Sequence, residues 1–109
     1  LMRQDYNKLV RDRIPEIIEK SGYQYEVTTL SESEYRKALC QKLVEEAQEA
    51  ATAEPEELIK EIADLYEVVE AILVAYKIDK KSVLKLQEER RQSRGRFERR
   101  IKLLWTMKR

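Results

Sequence analysis

The chain has 109 residues, 42% hydrophobic and 39% charged, with two Gly, two Pro, one Cys and no His; this composition sets one domain, residues 1–109, and excludes collagen-like, low-complexity and turn-rich β-sandwich architectures. Without His there is no Ser–His triad, no imidazole acid–base catalysis and no common zinc site, and Cys40 alone makes no intramolecular disulfide. The net charge of +1 hides a dipole: residues 31–70 hold twelve acids against four bases, a net of −8, and residues 85–109 hold ten bases against three acids, a net of +7. An acidic middle gathers divalent cations and a basic end gathers phosphates.

In chain order, Pro15 starts a short helix to Lys20, stopped near Gly22. Tyr23–Leu30 is β-branched and aromatic and reads as an extended segment or short strand. Ser31 and Glu34 form a capping box with Leu30 and Tyr35 at the staple positions, so a long helix runs from there to about Ala53. Glu54-Pro55 breaks it, and a second long helix runs from Pro55 to about Lys77. Asp79 caps a third helix, Lys80 to about Ser93, which Gly95 ends. The expected fold is all-α: an antiparallel helical hairpin plus a third helix, assembling into a helical bundle by oligomerisation.

Projection of the two long helices at about 100° per residue gives the most information. On the first, Tyr35, Leu39, Leu43, Ala47, Ala50 and Ala53 form the apolar stripe; Glu46 falls inside it, Glu49 on its flank and Glu45 further out. On the second, Leu58, Ile62, Leu65, Val69 and Ile72 form the stripe; Glu61 falls inside it and Asp64 beyond its edge, beside Ala71 and Ala75. Each helix therefore carries one acid within its buried face and a second three residues later. Charges removed from water need a partner or a metal, and Lys42 and Lys60 are the only local bases. An all-oxygen set of this kind suits Mg²⁺, with Mn²⁺ as the alternative.

The same residues carry a likeness. Glu45-Glu46-Ala47-Gln48-Glu49 followed by Glu61-Ile62-Ala63-Asp64 resembles the EExxE…ExxD signature of the MazG-like all-α nucleoside triphosphate pyrophosphohydrolases. The N-terminal YNKLVRDRIP, Tyr6 to Pro15, and the Arg94-Gly95-Arg96-Phe97 stretch are similar to the phosphoribosyl-ATP pyrophosphohydrolase-like, house-cleaning branch. The likeness runs from about Tyr6 to Leu104, with Arg96 standing where the branch usually has a second Gly. It implies Mg²⁺-dependent cleavage between the α and β phosphates, with Glu46, Glu49, Glu61 and Asp64 as metal ligands. It also implies a catalytic role for Glu45 and Glu46, with Glu45 near the metal or acting as base for the attacking water. Asn7, Lys8, Arg11, Arg13, Lys42 and Arg94 are the candidates to hold the nucleotide.

Two other readings compete: a phosphoribosyl-ATP diphosphatase of histidine biosynthesis, and a non-catalytic helical module binding nucleotide or nucleic acid through its basic end. A basic stretch without a recognised motif makes nucleic acid the weaker partner. Ile59, Tyr66 and Leu73 lie outside the stripe of the second long helix, so a homodimer or higher homo-oligomer is expected. Phe97 and Trp105 either stack on a base or pack at a subunit interface. No apolar run nears the ~20 residues of a membrane span, and the opening LMRQDYNKLVRDR has no apolar leader core. A cytoplasmic protein with a nucleotide substrate and no membrane partner is the expectation.

Overall fold

The computed structural model describes residues 2–109. Four α-helices form: α1 (Ile14–Lys20), α2 (Glu32–Thr52), α3 (Leu58–Ala75) and α4 (Lys80–Arg94), with a 3₁₀ turn at Pro55–Glu57 before α3. There is no strand among the described residues, and none of their helices is long and apolar enough to cross a membrane. Tyr23–Leu30, read as an extended segment or strand, makes no ladder. Its β-branched residues have no neighbouring edge to pair with, so propensity alone forms nothing there.

Local chemistry sets the helix ends. Pro15 lies in the first turn of α1, and Gly22, at φ 83°, receives the chain as it leaves. At the start of α2 the Glu34 amide donates to Ser31 Oγ (3.3 Å) and the Ser31 amide donates to Glu34 Oε1 (3.0 Å), the reciprocal box expected. The Ser31 backbone N–H, and then its hydroxyl, hold the Glu34 carboxyl below the usual carboxylate range. Ala53 and Glu54 are extended, as the residue before a proline prefers, and the chain reverses into the 3₁₀ turn.

The described chain divides into two compact units, residues 2–77 and 78–109. In the first, α2 and α3 pack antiparallel: Arg36 meets Ala75, and Glu46 meets Glu61. Arg36 Nε donates to the Ala75 carbonyl (3.1 Å) and its guanidinium lies 4.9 Å from the centre of the Tyr76 ring. It thus satisfies a carbonyl that the end of α3 leaves without an intrahelical donor. In the second unit, the Ser82 hydroxyl donates to Asp79 Oδ2 (3.1 Å) at the start of α4, and the Gly95 amide donates to the Arg91 carbonyl (2.8 Å) at its end. Gly95 has φ 81°, whereas Arg96 is not among the positive-φ residues. Arg in place of the second Gly therefore brings no left-handed strain.

The seam differs from the projected one in its rotation. Leu39 (3% exposed) and Val68 (8%) are its buried apolar residues, and Glu46 (7%) is buried with them. Val68 is not among the residues of the projected stripe, while Leu58 (41%) and Val69 (39%), which belong to it, are exposed. Turning α3 towards Val68 brings the Glu61–Asp64 edge to α2 and leaves the broad apolar side outward. Ser31→Ala and Arg36→Met should each cost about 1 kcal/mol, one by losing the cap and the other by orphaning the Ala75 carbonyl. Urea unfolding with unchanged slope and a lower midpoint for both checks this.

Candidate metal centre

The rotation that exposes Val69 assembles the acids. Glu45 and Glu46 are neighbours on α2, and Glu49 follows one turn later; Glu61 and Asp64 lie one turn apart on α3. Ligand oxygens of Glu46, Glu61 and Asp64 lie within 4.8 Å of one another, and so do those of Glu45, Glu46 and Glu49. Glu46 belongs to both trios. The four acids expected to act together are thus present, but as two trios joined at Glu46 with Glu45 included. Glu45 projected far outside the stripe, yet it is half-buried; Glu49 projected nearer, yet it is exposed. Lys8 and Lys42 lie against Glu45, cover that a projection of α2 alone does not count.

Four cations ring the cluster. Lys42 Nζ is 3.6 Å from Glu45 Oε2 and 3.7 Å from Glu46 Oε1. Lys60 Nζ is 3.4 Å from Glu61 Oε1 and 3.3 Å from Asp64 Oδ2. From the N-terminal segment, Lys8 Nζ reaches Glu45 Oε1 (3.3 Å) and Arg11 Nη2 reaches Asp64 Oδ1 (2.8 Å). Lys60 is absent from the expected nucleotide-binding set; its i,i+4 spacing to Asp64 was the signal available. Its hydrogen bonds to Asp64 and then Glu61 hold the Lys60 ammonium above its usual pKa.

The remaining expected residues are more scattered. Arg13 stands at the N-cap position of α1 without a side-chain cap bond and pairs with Glu16 (3.2 Å), not with an acid of the two trios. Asn7 turns the chain at φ 46°, two residues after Asp5, which pairs with Arg3. Arg94 is the last residue of α4, in the second unit.

Even with these cations the cluster is not satisfied. Glu46 Oε2 and Glu61 Oε2 are buried and have no hydrogen-bond partner. Each such orphaned acceptor costs about 1–3 kcal/mol, more when charged. They belong to two carboxylates whose ligand atoms already converge with those of Asp64, and all the donors are hard oxygens. The residues present therefore fit a divalent cation such as Mg²⁺.

The sequence model of the family described as phosphoribosyl-ATP pyrophosphohydrolase matches residues 3–91. The chain belongs to this family. Its match takes in the N-terminal segment, both trios and most of α4, and membership supports a pyrophosphohydrolase-type reaction. An uncharacterized protein of Mycolicibacterium smegmatis is 51% identical over 47 residues, which cover 43% of this chain and 48% of that protein. The match thus spans about half the length of that relative. No solved structure matches the chain.

Slight burial, and then the charges of Glu46, Glu61 and Glu45, push the Glu49 carboxyl above the usual carboxylate range. A carboxyl raised in the folded chain contributes its stability fully below the unfolded pKa and loses it as pH rises through the folded one. In chelator-treated buffer, Glu49→Gln should therefore melt higher than the wild type at neutral pH, with the two converging in acid. Melting curves across that range check the sign, and a lower neutral melting temperature for the variant contradicts it.

Proposed function

We propose that the chain is a Mg²⁺-dependent nucleotide pyrophosphohydrolase, which cleaves between the α and β phosphates and releases pyrophosphate. The observation that carries this reading is the pair of buried, partnerless oxygens on Glu46 and Glu61, two carboxylates that converge with Asp64 across the seam of a family member. Glu46, Glu49, Glu61 and Asp64 would hold the ion. Bound there, it supplies charge neutralisation for the phosphates and a lower pKa for an attacking water.

The chain's own residues do the rest. Glu45 lies outside the Glu46–Glu61–Asp64 trio and carries two lysine partners, Lys8 and Lys42. It is the carboxylate free to orient the water and take its proton. Lys8, Arg11 and Lys42 are the cations nearest the acids and would hold the phosphates. The family match crosses the junction at Lys77, which supports reading residues 1–109 as one functional domain.

The description of the family favours phosphoribosyl-ATP as substrate over the non-standard triphosphates of a house-cleaning enzyme. Phosphoribosyl-ATP would yield phosphoribosyl-AMP and pyrophosphate. We also propose a homodimer. Ile59 (85% exposed), Tyr66 and Val74 are left outward on α3, and two hairpins pairing these sides would build a four-helix bundle. A stable monomer by sedimentation at micromolar concentration would exclude it.

The enzymatic test is a panel of nucleotides with Mg²⁺, phosphoribosyl-ATP included, that separates pyrophosphate from orthophosphate. Glu46→Gln and Glu61→Gln should reduce pyrophosphate release to background with the helical content intact. Glu45→Gln should lower turnover by about 10²–10⁴-fold, the usual worth of a general base. No release from any member of the panel would leave a helical module that only binds nucleotide.

A further inference from the structure

The N-terminal segment spans the seam by its side chains. Lys8 reaches Glu45 on α2 and Arg11 reaches Asp64 on α3, so the stretch between them crosses from one helix to the other over the acids. Among the described residues, no backbone hydrogen bond ties residues 2–10 to anything. The segment is held there by ion pairs and by half-buried Leu9, and the Lys8 and Arg11 side chains can leave the acids without breaking a helix or a ladder.

These pairs differ from the other two in the ring. Lys42 and Lys60 meet acids on their own helices at i,i+3 and i,i+4 and travel with them. Lys8 and Arg11 come from a separate stretch of chain, with side chains 45% and 57% exposed. Ion pairs of this exposure are weak, so Arg11 yields to a cation that takes the Asp64 oxygens, and Lys8 yields to the positive charge that the cation brings beside Glu45. Together they carry two positive charges, the charge of one divalent cation.

We propose that Lys8 and Arg11 are exchangeable counter-ions: a divalent cation taken up by the carboxylates releases them from Glu45 and Asp64, charge for charge. Released, they present both charges where the phosphates of a nucleotide arrive. The acids thereby make the order of binding cation first, nucleotide second. This inference rests on the metal-binding reading above and adds a conformational step to it.

The step is read without nucleotide and without turnover. A carbodiimide joins an amine to a carboxylate only where the two are in contact, and Lys8–Glu45 is such a pair. Cross-links are mapped by mass spectrometry with chelator and with millimolar Mg²⁺, and Mg²⁺ binding is measured by calorimetry on wild type and Glu46→Gln. The Lys8–Glu45 cross-link should fall about tenfold with Mg²⁺. The Lys42–Glu45 cross-link, made by the same carboxylate, and the remote Lys20–Glu16 cross-link should persist. If Mg²⁺ binds the wild type and not Glu46→Gln while Lys8–Glu45 persists, the exchange is wrong and the metal centre stands. Equal loss of both Glu45 cross-links would mean that the carboxylate is merely shielded, and also overturns the exchange. No Mg²⁺ binding to the wild type overturns exchange and metal centre together.

Discussion

Carboxylates repel one another across the seam between α2 and α3, and the first unit is arranged around that repulsion. Glu46 is as buried as the apolar residues beside it, and Glu61 and Asp64 face it from the opposite helix. A hairpin built for stability alone would turn Leu58, Ile62 and Val69 inward. Here α3 is rotated so that Val68 seals the seam while the acids close on one another. The cost of crowding them is met locally, by Lys42 and Lys60 on the same helices and by Lys8 and Arg11 from the N-terminal segment. Those cations reach the outer oxygens and leave the inner two without partners. Inner oxygens that protein donors do not satisfy are what a small, hard cation requires.

At its other end the hairpin is tied by a different chemistry. Arg36 spans from α2 to the last carbonyl of α3 and lies against the Tyr76 ring. A neutral acceptor and an aromatic face receive Arg36 across the hairpin, while Glu32 on its own helix (3.0 Å) balances its charge. The hairpin is therefore fastened where it carries no strain, and the acids are gathered further along, towards the Pro55 turn. Separating the two tasks lets the site hold an unfavourable charge arrangement without loosening the helix pairing, as functional sites commonly do.

Much of this was legible in the sequence. The capping box at Ser31, the break at Pro55 and the Asp79 and Gly95 ends of α4 are signals of one to four residues, and the structure forms them where they were read. The acids were found because they violate the apolar pattern at Glu46 and Glu61. What periodicity could not supply was the rotation of α3, because an apolar arc of about half the helix circumference offers several overlapping stripes. That one angle decided the burial of Val68, the exposure of Val69 and the approach of Glu61 and Asp64 to Glu46. The strap from Lys8 to Arg11 was illegible for another reason: its partners lie 37 and 53 residues away, and only the folded chain brings them together.

The shallow seam has a calorimetric consequence. With Leu39 and Val68 as the buried apolar residues, one chain exposes little new apolar surface when it unfolds. Its heat capacity change and its denaturant slope, which both scale with that surface, should then be small for its length. A flat stability curve would make the isolated chain tolerant of cooling and only weakly cooperative on heating. Any curvature near that of an ordinary domain of this size would have to come from surface buried between copies.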